Sequence, residues 1–360
     1  MDENAIGLGR RTHLSNEEKV KKLVGLIVIV ILVIGGIVAW NKYDLIYGSS
    51  LNSRSGDLIL NIPTGTTFEE LLILLQNDGL IDDLESFEWV CELKDFSAVK
   101  AGRYRLRPGM SNNGLVNKLR IGDQEAVKVQ FSSARTLEQL AGRMSTSLEI
   151  DSVDLIAHFY DPGVPAKYGF NKETFRTMFL PNTYEVWWNV SAEDLVARLA
   201  KEYKAFWTDE RLNKARALNL SQSEVTILAS IVKSETSKKD EAPKIAGVYC
   251  NRLRINMALQ ADPTLIYALG DFTIKRVLDR HKQVKSPYNT YMYPGLPPGP
   301  INIPQAVYID AVLNREKHNF LYFCAKPELD GYHNFAKTYR QHLIHAKAYQ
   351  RELNQRRVYR

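Results

Sequence analysis

The chain has 360 residues, 45% of them hydrophobic and 24% charged, with a formal net charge of +6. This is the length and balance of ordinary globular domains, two of them, carrying one membrane segment. Cys91, Cys250 and Cys324 form no CxxC pair and no even set, no His, Cys or Asp grouping has ligand spacing, and no phosphate loop occurs; a zinc or redox framework is excluded and no cofactor is implied.

Residues 1–22 carry Arg10, Arg11, Lys19, Lys21 and Lys22, and residues 23–40 carry no charge. Those 18 residues span about 27 Å as a helix, just enough to cross a bilayer core. By the positive-inside rule residues 1–22 form a cytoplasmic tail, 23–40 a single transmembrane helix in the cytoplasmic (inner) membrane, and the rest lies outside. Val38-Ala39-Trp40-Asn41 offers no small-x-small cleavage site, so an uncleaved anchor is expected over a signal peptide. The other basic excess, Arg340, Lys347, Arg351, Arg356, Arg357 and Arg360, is spread over a helix outside the cytoplasm. It reads as a solvated face, or one meeting an anionic lipid or polymer, and not as a nucleic-acid surface.

Residues 41–56, with Gly48, Ser49, Ser50, Ser53, Ser55 and Gly56, read as a flexible linker. A small α+β module follows at 57–131. It starts with a strand at 58–62 closed by Pro63 and Gly65, then a helix capped by Thr67 and ended at Asn77-Asp78-Gly79. A strand at 102–106, a turn at Arg107-Pro108-Gly109, a helix to Leu119 and a third strand at 126–131 complete it. Thr67-Phe68-Glu69-Glu70-Leu71 is echoed by Thr136-Leu137-Glu138-Gln139-Leu140, each opening a helix after a strand, which suggests a second unit of similar design.

Residues 132–360 form the other domain, mainly helical with patterns at 153–159, 192–207 and 224–235. In the last of these Leu228, Ile231, Val232 and Glu235 fall on one face at about 3.6 residues per turn. A carboxyl on an apolar face resists ionisation and becomes a proton donor near neutral pH. The competing reading is a helix-end Glu that turns to water or pairs with Lys238 or Lys239. Pro243 opens the next helix, through Val248, Tyr249 and Leu253; Glu241 ahead of it suits a helix N-terminus or a cleft.

The segments Leu259-Gln260-Ala261-Asp262-Pro263-Thr264, Pro287-Tyr288-Asn289-Thr290-Tyr291 and Gly295-Leu296-Pro297-Pro298-Gly299-Pro300-Ile301 are too rich in Pro and Gly for regular elements. Ordered loops on a rigid scaffold are common binding surfaces. Asp262 is either a second acid or the structural cap of an Asx-type turn or helix start. Gln260 can donate and accept hydrogen bonds, and Tyr267, Tyr288, Tyr291 and Tyr293 offer flat faces with a polar tip, though core packing explains one or two equally well. Asn289 and Thr290 orient substrate or hold the loop; with Thr264 and Glu241 they complete a candidate substrate-binding set. His333 reads as structural first and catalytic second.

The blocks at 228–304, 321–323 and Gly331-Tyr332-His333-Asn334-Phe335 together resemble the membrane-anchored endolytic murein transglycosylases of the YceG-like family, over roughly residues 55–345. The resemblance implies an α+β fold: a single N-terminal transmembrane helix, a LysM-like module at 57–131 and a mainly helical catalytic domain at 132–360. It maps the family's single catalytic acid onto Glu235. Relatives often carry a second Glu where Lys233 stands, an Asp where Asn182 stands, and a Gly where Tyr332 stands. It implies action on peptidoglycan strands, with cell-wall synthesis proteins as possible partners and no metal. Two alternatives stay open: a hydrolytic muramidase using Asp262 or Glu241 to activate water, and a non-enzymatic glycan-binding scaffold.

Overall fold

The computed structural model describes residues 16–51, 56–81, 83–274 and 276–356. The fold is mixed α+β and mostly helical, in two units, Met1–Glu125 and Ala126–Arg360.

The first unit opens with α1 (Asn16–Tyr47), which buries none of its residues. A helix apolar on every side has no polar face to give to water, and this one is long and apolar enough to cross a membrane. It outruns the expected span, because Asn41, Lys42 and Tyr43 continue the helix and its end docks on the unit: Asn112 Nδ2 donates to Leu45 O at 3.0 Å. The expected linker is thereby corrected. Ser49 bridges to Ser111 and Leu51 to Ile81, and the Leu51 side chain is buried in the core. Residues 52–55 of that linker, and 1–15 of the tail, lie outside the described residues.

Strands β1 (Leu58–Ile62) and β2 (Gly102–Leu106) pair antiparallel, Leu58 opposite Leu106. Alternation turns Leu60, Ile62, Tyr104 and Leu106 inward. Helices α2 (Phe68–Asn77), α3 (Leu84–Leu93) and α4 (Asn112–Ile121) cover that face with Leu71, Leu75, Phe87, Val90 and Leu115. Thr67 caps α2 in a capping box with Glu70, and Gly122, at φ +76°, ends α4. The helix α3 is absent from the sequence reading, although Asp83 caps it and Phe87, Val90 and Cys91 repeat at helical spacing.

The boundary between the units falls at 125/126, not at 131/132 as the sequence reading has it. Strand β3 (Ala126–Gln130) belongs to the second unit, antiparallel to β4 (Thr183–Trp187), with Val127 opposite Val186 and Val129 opposite Tyr184. A strand must find a partner for its backbone and its buried face, and both lie here.

Around that hairpin pack α5 (Leu137–Ser145), α6 (Ser152–Tyr160), the short α7 (Gly163–Lys167), α8 (Ala192–Phe206) and α9 (Asp209–Ala217). Thr136 caps α5 just as Thr67 caps α2. The centre is α10 (Gln222–Glu235), held at its start by a Ser221–Glu224 capping box. Val225 through Val232 are all buried, so its apolar surface is a full ring where the sequence suggests a single stripe. Against it lie α11 (Ala242–Arg254), α12 (Asp262–Leu269) and α13 (Ala306–Leu313). The 295–304 loop is tied down by Ile301 N to Ser230 Oγ (3.1 Å) and Asn302 Nδ2 to Ser230 O (2.9 Å). A last hairpin, β5 (Tyr322–Ala325) with β6 (His333–Ala336), is flanked by α14 (Tyr339–Gln355).

Candidate active site

Glu235 is the last residue of α10, and its side chain closes back onto the neighbouring helix. The buried Tyr249 hydroxyl on α11 donates to its Oε1 at 2.6 Å. Burial pushes the Glu235 pKa from 4.5 up to about 7; nearby Asp262 adds to the rise, while the Tyr249 hydrogen bond and the Arg252 charge oppose it. The same burial, with Glu235 alongside, drives the Tyr249 phenol well above its ordinary range, so it stays a donor. The alternative of an ion pair with Lys238 is not what forms; the Lys238 ammonium sits 4.6 Å from the centre of the Tyr332 ring.

Arg252, three residues after Tyr249 and so on the same side of α11, is buried too. Its Nε donates to Leu321 O (2.7 Å) and Nη1 to Leu259 O (2.6 Å), joining β5 to the loop that enters α12. No carboxylate ion-pairs with it among the described residues, so its charge is available to an anion in the cleft.

Gln260 holds a left-handed backbone, φ +48°, unusual for a residue with a side chain. Its N–H donates to Thr290 O at 2.9 Å. Asp262 caps nothing: Ala261 occupies the cap position, and Asp262, exposed at the start of α12, accepts from the Tyr291 hydroxyl. Glu235, Tyr249, Arg252, Gln260, Asp262 and Tyr291 thus share one cleft of about 360 Å³, whose far side is formed by Tyr322, Phe323 and His333.

Other candidates stand elsewhere. Thr264 and Thr290 are buried, their hydroxyls 2.8 Å apart, with Thr264 Oγ1 donating to Ala261 O and Ala261 N donating to Thr290 Oγ1. Asn289 is fully buried; its amide donates to Lys282 O and Val284 O and its carbonyl accepts from the amides of Tyr291 and Met292. The side-chain polar groups of these three are spent on holding the loops that shape the cleft, the second of the two roles the sequence leaves open for Asn289 and Thr290. Tyr267 and Tyr288 pack on each other at 4.8 Å, the Arg176 guanidinium over Tyr267 at 5.3 Å, and Tyr267 lines a different cavity.

Glu241 acts through His333. Its carboxylate accepts from His333 N (2.8 Å) and lies 2.7 Å from His333 Nδ1, which orients the ring toward the cleft wall. Edge-on packing against Phe323 completes the ring's placement. Sequence reasoning missed Tyr249, Arg252 and Tyr322 as site residues. The spacing of Tyr249 and Arg252 on one helix was a usable signal; nothing local pointed to Tyr322.

A partly buried carboxyl with its pKa raised to about 7, a buried phenol that donates to it and an open cleft beside it are the features of an acid–base enzyme. Residues 60–348 match the YceG-like family, and the chain belongs to that family. A Bacillus subtilis (strain 168) protein named endolytic murein transglycosylase is 28% identical over 329 residues, covering 86% of this chain and 89% of the relative. A Streptococcus pneumoniae (serotype 2, strain D39) protein of the same name is 26% identical over 302 residues, 74% of this chain and 54% of the relative. The crystal structure of a yceG-like protein from Listeria monocytogenes aligns with a TM-score of 0.53 at 26% identity, over 81% of this chain and 99% of that one.

Proposed function

We propose that this chain is a membrane-anchored endolytic murein transglycosylase, cutting the β-1,4 bond between N-acetylmuramic acid and N-acetylglucosamine in nascent strands and so limiting their length. The observation that carries the reading is Glu235, its pKa raised to about 7 by burial at the edge of the cleft, with the Tyr249 hydroxyl on its oxygen. Protonated Glu235 gives its proton to the bridging oxygen as the bond to C1 breaks. The carboxylate left behind keeps the Tyr249 hydrogen bond and faces the Arg252 charge. It then takes the proton of the muramic C6 hydroxyl as that oxygen closes on C1. Glu235 ends as it began, no water is consumed, and the product is a 1,6-anhydro end. The attacking hydroxyl belongs to the sugar being cut, so its high effective molarity replaces an activated water.

In the membrane, α1 would span once with the N-terminus in the cytoplasm and the second unit outside, and the first unit would serve as the LysM-like glycan contact. A reporter fused after Arg360 and read as extracytoplasmic tests that orientation.

A second reading, hydrolysis, is favoured by one observation: Asp262 lines the same cleft as Glu235. A digest of purified glycan by the full chain in detergent, analysed by mass, separates the two, because a hydrolysed end is heavier by one water. Anhydro ends formed by wild type, and lost at least about 100-fold in Glu235→Gln, are the expected result. Anhydro ends at the wild-type rate from Glu235→Gln would sink the mechanism.

A further inference from the structure

Glu235 lines the cleft, and the two residues before it, Lys233 and Ser234, line another cavity of about 490 Å³ on the other side of the α10 end. Asp262 and Pro263, at the start of α12, divide in the same way. The second cavity abuts the cutting site yet takes no part in the chemistry described.

Its lining is one-signed. Arg135, Arg143 and Lys233 border it, and no Asp or Glu does among the described residues. Neither arginine side chain has a carboxylate partner there; Arg135 rests over the Phe272 ring at 4.5 Å. Lys233 Nζ donates to two neutral oxygens, Ser133 Oγ and Ile303 O, which leaves its charge uncompensated. Burial first, and the charges of the two arginines second, hold its pKa down to about 8.

A second feature is independent of charge. Asn302, buried at the cavity wall, spends its amide on Ser230 O and Ser234 Oγ, while its Oδ1 has no partner. A buried acceptor without a donor is costly, and an N–H from a ligand would satisfy it. Pro263, Ile266, Phe272 and Ile301 supply an apolar part of the wall, beside the neutral polar side chains of Ser133, Gln139 and Ser234.

We propose that this cavity is a subsite for an acidic peptide, the carboxylate-bearing branch of a wall strand seated for cutting at Glu235. The proposal rests on the transglycosylase reading for its substrate. A carboxylate meets the three cations, a peptide N–H meets Asn302 Oδ1, and aliphatic side chains meet the apolar wall. A phosphodiester polymer would match the charges but brings no N–H.

The test has two arms, both with the full chain in detergent micelles. In the first, calorimetry on the Glu235→Gln variant compares N-acetyl-alanyl-glutamate with its diamide. The free acid should bind at least about tenfold tighter, and Arg143→Gln in that background should erase the preference. Equal binding of the diamide, a preference untouched by Arg143→Gln, or tighter binding of glycerol phosphate than of the dipeptide would each overturn the proposal. In the second, cleavage of peptide-bearing strands is compared with cleavage of strands stripped of peptide. The wild-type preference for peptide-bearing strands should fall about tenfold in Arg143→Gln; an unchanged ratio would overturn it. If wild type cut neither strand while the acid probe still bound with its preference, the transglycosylase reading would fail and the cavity assignment would stand.

Discussion

The Tyr249 hydroxyl and the Glu235 carboxyl, 2.6 Å apart, share a buried position in which neither gives up its proton readily. One helix brings the acid and its neighbour brings the donor. A proton leaving Glu235 therefore leaves behind a carboxylate that already has a partner. That arrangement suits a group asked first to give a proton and then to take one back.

Activity should be full at acid pH and fall as pH rises through about 7, where Glu235 ionises. Stability follows the same group. Its folded value lies above its ordinary 4.5, so between 4.5 and 7 the folded chain binds more protons than the unfolded one and stability declines with rising pH. The melting temperature of Glu235→Gln, which cannot ionise, should gain on wild type across that window and hold level above it. Parallel melting curves at every pH would contradict the assignment.

Tyr249→Phe keeps the buried ring and removes only the donor. Without that hydrogen bond the Glu235 carboxylate is less favoured, so the alkaline limb of the pH–rate profile should move upward. The cost in stability should be about 1 kcal/mol. A limb that stays in place would mean the contact does not act on the acid.

Asp262→Asn retains an acceptor for Tyr291 and drops the charge that helps raise Glu235. The activity loss should stay within about tenfold, with the pH limb moving slightly down, whereas a general base for water would lose about 100-fold or more. Initial rates over a pH series decide between the two.

Thr290→Val is nearly the same shape but strips partners from Ala261 N and Thr264 Oγ1 inside the protein. Unfolding free energy should fall by about 1–3 kcal/mol, with activity loss following the lowered melting temperature. A large rise in KM at unchanged stability would instead return Thr290 to the substrate.

What could be read in the sequence was what depends on near neighbours along the chain. The helix starts at Thr67 and Thr136, the apolar run of α1 and the acid at the end of α10 follow from hydrogen bonds and side-chain spacing within one or two turns. The loop around Tyr291 was visible in the sequence, whereas of 259–264 only the part before Asp262 is a loop, because Asp262 opens α12 with Pro263 in its first turn. Packing between distant segments decided the rest. Strand β3 looks the same whichever unit it joins, and only β4, more than fifty residues later, supplies its partner. Asn289, Thr264 and Thr290 have the polar groups of ligands, but the fold turns those groups inward and satisfies them there. Glu235 could be recognised as an acid on an apolar helix; that its companions are Tyr249 and Arg252, and that Lys233 faces another cavity, is set by how α11, α12 and the 295–304 loop close around the end of α10.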